Sequence, residues 1–352
     1  MNYYKNFIRP ILFQIDAEKA HNLAIFALKN SLTKYPKVKN YDSLKTSICN
    51  IEFNNPIVMA AGFDKNAEII SSLFKFGFGS VECGTVTPQP QDGNPKPRIF
   101  RLKDDMAIIN RLGFNNVGID NFLKNIQRQK ITQPFGINIG KNKDQNDAIT
   151  DYLKLLDLTY GLSSYITINI SSPNTKDLRN IQQKTELDLF LQQIMAKKLE
   201  LITKTAKNIP IFLKIAPDLN DQELRDVAES VLNNKIDAVI ISNSTITRNN
   251  LISKNQKEIG GLTGKPLFDI SNRILTKFYQ LTEGKIPLIA AGGVFSAEDS
   301  YEKIKRGASM VQIYSAFIYE GFSLVEKIKE DLDILLKRDG LDSISKAVGV
   351  LS

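Results

Sequence analysis

From residue 56 onward the chain repeats one pattern eight times: a short apolar run, mostly β-branched, then a longer polar or amphipathic stretch. The runs are 56–61 (PIVMAA), 79–85 (GSVECGT), 135–139 (FGINI), 165–170 (YITINI), 211–215 (IFLKI), 237–242 (DAVIIS), 287–291 (PLIAA) and 309–313 (SMVQI). Such runs suit strands of a parallel sheet covered by helices on its faces, which have no wet side to alternate with. Helical periodicity fills the gaps, most clearly over 221–232 and 297–305. Eight βα units over about 280 residues predict an α/β fold, a (β/α)8 TIM barrel. A doubly wound sheet is the rival, because strand order is not written in the sequence. Polar residues favour the barrel. At or just past successive run ends stand Lys65, Thr85, Asn138, Asn169 with Ser172, Lys214, Asn243, Gly292-Gly293 and Tyr314-Ser315. A barrel brings all eight ends to one mouth.

Two helices are expected ahead of the barrel. The first, Asn2 to Gln14, carries Tyr4, Ile8, Leu12 and Ile15 beside Tyr3, Phe7 and Ile11, with Pro10 a candidate kink. The second starts at Asp16, a good N-cap residue, and has more apolar surface than one barrel contact would bury. Residues 43–56 read as a hairpin plugging the barrel bottom. The expected division is therefore an N-terminal helical subdomain, 1–42, and a barrel, 43–352.

Charge and composition remove several classes of function. The net charge is +8, and residues 1–45 alone hold eight basic against three acidic side chains. Elsewhere Lys and Arg are scattered among acids, so no nucleic-acid channel is expected. The longest uncharged run, 158–175, has eleven Ser, Thr, Asn, Gly or Pro among eighteen residues and does not read as a membrane span. Asp16 and Glu18 interrupt the N-terminus before any long apolar stretch, so no secretory signal is expected. Two cysteines, Cys49 and Cys83, and one histidine, His21, offer neither a disulfide framework nor a metal site. A soluble intracellular body is expected.

Individual positions leave two readings open. Ala61-Gly62 lacks bulk, which suits either a flat ring against the backbone or a tight turn. Lys65 is a solvated lysine or an anion ligand. Lys214 lies in a buried run and needs a partner, which is either a bound anion or a structural salt bridge. Gly260-Gly261, Gly264 and Gly292-Gly293 are turns, or they offer backbone N–H groups to a phosphate at the usual place in such barrels. No G-x-G-x-x-G follows a strand, so a dinucleotide site is not expected. Asn110, Asn169, Asn174 and Asn243 are loop-capping residues, or together an amide-rich pocket that offers a ligand both donors and acceptors.

The motifs AAGFDK (60–65), INRLGFNN (109–116), NISSPNT (169–175), KIAPD (214–218), GGLTG (260–264) and QIYSAF (312–317) run in order over nearly the whole chain. Together they make the sequence resemble the dihydroorotate dehydrogenases, specifically their class 2, the quinone-dependent, membrane-associated branch. The resemblance implies FMN as prosthetic group, bound by Ala61, Gly62, Phe63, Asp64, Lys65, Thr85, Asn138, Asn169, Lys214, Ser242, Gly264, Gly293, Tyr314 and Ser315. It implies oxidation of dihydroorotate to orotate in pyrimidine synthesis. Lys65, Asn110, Arg111, Leu112, Gly113, Phe114, Asn169, Asn174, Asn243 and Ser244 would line the substrate. The family more often has threonine where Ser242 and Ser244 stand, so local packing there is in question.

Class 1 relatives use a cysteine base; class 2 uses serine, here Ser172, with Thr175 a candidate to pass the proton outward. His21 and Arg101 would stand near the quinone, with Tyr314 between it and the flavin. The resemblance further implies a monomer held peripherally at the cytoplasmic face of a bacterial inner membrane by its N-terminal helices. Two alternatives stand beside it. A tRNA-dihydrouridine synthase would need a catalytic loop cysteine and an RNA-binding domain. A non-catalytic membrane-docking barrel would not need Lys65, Ser172 and Lys214 together.

Overall fold

The computed structural model describes residues 3–352, so the expected helix start at Asn2 lies outside the described residues. Thirteen strands are present among them. β1 (Thr46–Ile48) and β2 (Ile51–Phe53) form an antiparallel hairpin. β3 (Ile57–Met59), β4 (Ser80–Val86), β7 (Phe135–Ile139), β8 (Tyr165–Asn169), β9 (Ile211–Ile215), β10 (Ala238–Ile241), β12 (Leu288–Ala291) and β13 (Ala308–Ile313) follow one another as parallel neighbours. β13 pairs with β3 and closes the barrel, which rules out a doubly wound sheet. The three remaining strands, β5 (Ile99–Leu102), β6 (Ala107–Asn110) and β11 (Gly261–Gly264), make a separate antiparallel sheet. The repeat reading missed this sheet because its strands come from loops that follow barrel strands.

Side-chain alternation sorts each barrel strand into an outward set, packed on the helices, and an inward set. Inward at the lowest level, Val58, Tyr165, Phe212, Ala238, Ile240, Ile289 and Met310 cluster with Ile48 and Phe53 of the hairpin. The hairpin therefore plugs the bottom, as expected. Tyr165 and Phe212 stack with centroids 4.4 Å apart. Gly136 makes room for them: a Cβ there would lie 2.1 Å from the Tyr165 ring. One level up the inward side chains turn polar, with Glu82, Thr167, Lys214 and Gln312, all buried. Above them the barrel opens.

The helices follow from local chemistry. Asn220 caps the helix Asp221–Asn233 in a capping box with Glu223, and Ser296 does the same for Ala297–Lys305 with Asp299. Asp16 caps Ala17–Lys29 by accepting from the N–H groups of Glu18 and Lys19. Ahead of it, π-helical turns at Tyr4–Ile8 pass into the α-helical turn Arg9–Leu12. Pro10, which lacks an N–H, falls just past that change of pitch.

These N-terminal helices are fastened to the barrel rim. The Tyr4 hydroxyl donates to the Ile318 carbonyl at 2.6 Å, and the Arg9 guanidinium donates to Tyr319 O at 3.0 Å. The strongest tie is internal. Arg98, only 5% exposed, grips the Glu18 carboxylate with two bonds of 2.9 and 2.6 Å, and this holds the Glu18 carboxyl below its ordinary range. Breaking such a pair costs roughly 3–5 kcal/mol; the carbonyls of Asp92 and Asn94 still accept from Arg98, which favours the lower end. Glu18→Gln is therefore expected to destabilise helix docking by about 3 kcal/mol. Hydrogen exchange should show early loss of protection over 17–29 with the barrel strands unchanged; equal loss in both would mean that they unfold as one unit.

Candidate functional site

The mouth of the barrel holds a cavity of about 1040 Å³, its opening included. Every barrel strand except β4, β7 and β9 contributes wall at or beyond its C-terminal end; β4 and β9 contribute Thr85 and Lys214 from within, and β6 and β11 roof one side. The structure brings Ala61, Gly62, Lys65, Thr85, Asn169, Lys214, Ser242, Gly264, Gly293, Tyr314 and Ser315 to this cavity. Asn110, Leu112, Gly113, Phe114, Ser172, Asn174, Asn243 and Ser244 line it as well. Residues scattered over more than 250 positions thus converge on one space.

Four expected site residues are elsewhere. Asp64 turns back to accept from the N–H groups of Glu68 and Ile69 at 2.8 and 2.9 Å; burial nonetheless pushes its carboxyl up to about 6. Phe63 lines a second cavity. Arg111 points outward to an ion pair with Glu258 at 2.7 Å and stacks over Phe100. Asn138 is wholly buried and lines neither cavity; it supports the wall from behind.

That support is a chain of hydrogen bonds with fixed polarity. The Glu82 carboxylate, fully buried, accepts from Asn138 Nδ2 at 2.8 Å, Thr167 Oγ1 at 3.0 Å and Gln312 Nε2 at 2.9 Å. A carboxylate can only accept, so Asn138 must turn its Oδ1 the other way. There it accepts from Thr85 Oγ1 at 2.5 Å and Asn169 Nδ2 at 3.1 Å. Asn169 Oδ1 in turn accepts from Ser171 Oγ at 2.9 Å, and Asn243 Nδ2 donates to that same hydroxyl at 2.9 Å. Which amide atom faces the cavity at Asn169 and Asn243 is therefore decided three residues deep.

Lys214 also finds its partner in the protein. Its Nζ donates to Gln312 Oε1 at 2.9 Å and lies 3.6 Å from Glu82 Oε1. Burial lowers its pKa while Glu82 raises it. Of the two readings left open for this lysine, the internal ion pair is present. Neither Glu82 nor Gln312 had been singled out, although each is a polar residue inside a buried run, the same signal that marked Lys214.

The loop after β8 is fixed by Arg179, which donates to Ser171 O at 2.9 Å and Ser244 O at 2.8 Å and pairs with Asp218 at 2.7 Å. Ser172, 6% exposed, accepts the Asn174 N–H at 3.2 Å. Among the described residues no carboxylate or imidazole is recorded as a hydrogen-bond partner of its hydroxyl. Thr175 Oγ1, nearby in the loop, is buried with no hydrogen-bond partner.

A second cavity of about 730 Å³, its opening included, lies between the N-terminal helices and the barrel. Its lining is mostly apolar, from Tyr4, Leu12, Phe13, Ala20, Ala24 and Leu28 on one side to Phe63, Ile108, Phe317 and Phe322 on the other. His21 and Arg101 are its basic members. Arg101 lies over the Phe13 ring and donates to Ile15 O at 2.8 Å. His21 Nε2 is 3.3 Å from Lys65 Nζ; desolvation first, and the lysine charge second, hold its pKa well below the ordinary value. Tyr314 lines both cavities, and burial raises its phenol to about 12. Among the described residues no group of His, Cys, Asp and Glu is placed to hold a metal ion.

The family model for dihydroorotate dehydrogenase matches residues 43–336. A protein of Azorhizobium caulinodans named dihydroorotate dehydrogenase (quinone) is 44% identical over 346 residues, 97% of each chain. One of the same name from Allorhizobium ampelinum is 46% identical over 345 residues, covering 97% of this chain and 95% of that one. The DHODH of Eimeria tenella, solved in complex with ferulenol, superposes with a TM-score of 0.91 at 36% identity, covering 95% of both chains. With that match over fold and sequence, the chain belongs to the dihydroorotate dehydrogenase family, on its quinone-dependent branch.

Proposed function

We propose that this protein oxidises dihydroorotate to orotate with FMN as its prosthetic group and a quinone as electron acceptor, a step of pyrimidine synthesis. The observation that carries this reading is the pair of cavities, one polar and one apolar, sharing the Tyr314 wall. The polar cavity fits FMN. Gly62 has φ +96°, open to few other residues, and with Ala60 and Ala61 it offers a wall without bulk. At the far end Gly293 has φ +77°, and a Cβ there would lie 2.5 Å from Phe268 Cα. Beside it the hydroxyls of Thr263 and Ser315 are 2.8 Å apart. Gly62, Lys214, Gly264, Gly293 and Ser315 would hold the flavin, and bound FMN supplies the site that takes a hydride from one partner and returns two electrons to the other.

Ser172 Oγ is the base for the C5 proton. Its bond from Asn174 N leaves its own O–H free to turn toward Thr175, whose buried, unpartnered hydroxyl is the outward step. Asn110, Asn169, Asn174 and Asn243 read the ring amides of the substrate, and Lys65 attracts its carboxylate. Anaerobic mixing with dihydroorotate should bleach the flavin, and a quinone but not NAD should restore its colour; failure to bleach would remove the function. In Ser172→Ala, FMN and orotate should bind while flavin reduction slows by at least about 100-fold, measured by stopped-flow absorbance.

The Lys65 ammonium sets the pH dependence. Burial lowers its pKa to about 8, so it is charged below that pH and neutral above it. Attraction for the substrate carboxylate is thus present at neutral pH and lost as pH rises through about 8. The expected outcome is a fall in kcat/KM for dihydroorotate across that range, absent in Lys65→Met, whose value should be low throughout. A descending limb that persists unchanged in Lys65→Met would assign it to another group.

The apolar cavity is the quinone site, with His21 and Arg101 beside the head group, and the N-terminal helices are a peripheral foot on the cytoplasmic face of the inner membrane. Both cavities are complete within one chain, which supports a monomer. No described helix is long and apolar enough to cross a membrane. The support is instead an exposed apolar set, Tyr3, Phe7, Ile11, Leu23 and Phe26 on the helices that roof the cavity and Leu32 just past their end. Charge contributes less than composition suggested, because Lys5, Lys29, Lys39 and Lys45 are all ion-paired. Ile11→Ser combined with Phe26→Ser should weaken vesicle binding by at least about 10-fold, given about 1.5–3 kcal/mol per large apolar side chain fully buried. Turnover with a long-tailed quinone should fall in parallel while a soluble dye still accepts electrons; unchanged vesicle binding would move the foot elsewhere.

A further inference from the structure

A lysine at the floor of a polar cavity is useful to a bound flavin only if it stays charged and stays aimed. Burial works against both, since a lone ammonium removed from water sheds its proton. The floor of this barrel is built to oppose that. Lys214 stands on β9, Glu82 across the barrel on β4, and Gln312 on β13 bridges them, accepting from Lys214 with Oε1 and donating to Glu82 with Nε2. Glu82 is wholly buried and lines neither cavity, so solvation does not account for a carboxylate there. Its other bonds come from Asn138 and Thr167, neutral groups that leave its negative charge for the lysine.

We infer that Glu82 is the standing counter-ion of Lys214: it keeps the ammonium charged and aimed at the cavity, and thereby sets the electron affinity of the flavin bound against it. Glu82 is thus a positioning residue acting through Lys214, and the inference rests on FMN lying against that lysine. The polarity of Gln312 is part of the device. With an acceptor-only group at 82, its amide must present the oxygen to Lys214; with a donor at 82, an N–H would face either the ammonium or a second N–H. Other titratable groups near the floor do not replace Glu82. Cys83, next to Glu82 on β4, and Tyr165, on β8, are held neutral by burial, and Lys65 across the cavity is present in every variant below.

The test is a redox titration of the flavin in holoprotein between about pH 6 and pH 9, the span in which a destabilised buried ammonium titrates. Wild type must first hold FMN and bleach with dihydroorotate; failure there removes the function reading, separately from the counter-ion. In Glu82→Gln the midpoint potential should be more positive than wild type at the acid end, where Lys214 is charged and uncompensated. It should then fall more steeply as pH rises, and Lys214→Met in the same background should abolish that extra dependence. The exchange Glu82→Gln with Gln312→Glu returns a carboxylate to the lysine and should restore the wild-type profile. A Glu82→Gln profile that overlays wild type, or an exchange that leaves the altered profile in place, overturns the inference. If Glu82→Gln alone yields no folded holoprotein, the exchange decides: FMN-loaded protein with the wild-type profile supports the counter-ion, and unfolded or flavin-free protein overturns it.

Discussion

A closed barrel of eight strands leaves half of each strand's side chains no exit to solvent, and the rest of this molecule is arranged around that constraint. The lowest inward level satisfies it with apolar volume, Tyr165 on Phe212 over the hairpin residues Ile48 and Phe53. The next level cannot, because it forms the floor of a polar cavity, so it is filled with groups that satisfy one another: Glu82, Thr167, Lys214 and Gln312. An incompletely bonded layer at this depth would cost more than an apolar one. Completeness also removes freedom. Each amide in the network has one orientation left, and the orientations reach the cavity surface through Asn138 and Asn169.

The strands and their order of appearance were legible because double burial leaves a plain signature, and all eight runs became barrel strands. The converging polar ends were legible too, since a barrel has only one C-terminal mouth. What escaped depends on pairing between distant segments. β11 meets β6 from about 150 residues away, and neither is marked by an alternation of its own. Arg111 faces outward for a related reason: its neighbours Asn110 and Leu112 do line the cavity, but one step along an extended chain reverses the side chain, and Glu258 waits on the outer side. Asn138 stands at the expected strand end, buried behind the cavity surface. Its rank in the hydrogen-bond chain depends on Glu82, whose significance appears only when the barrel closes.

The two cavities touch at a single aromatic wall. Tyr314 stands at the end of β13, with the ring of Phe63 6.4 Å away on one side and the position of a Gly62 Cβ 3.7 Å from its edge on the other. His21 and Lys65 meet at the same boundary. The polar and apolar cavities therefore share one side chain as their common wall.

The apolar cavity has walls of two kinds, one from the N-terminal helices and one from the barrel, and the polar ties between them, such as Glu18–Arg98, Arg9–Tyr319 and Tyr4–Ile318, lie around it. Any compound that fills this space touches both walls and so acts as an adhesive between them. By mass action such a compound at a hundred times its dissociation constant adds about 2.7 kcal/mol to the docked state, comparable with the Glu18–Arg98 tie itself. The helix wall can also drift in sequence without disturbing Ser172, Lys214 or the amides of the polar cavity.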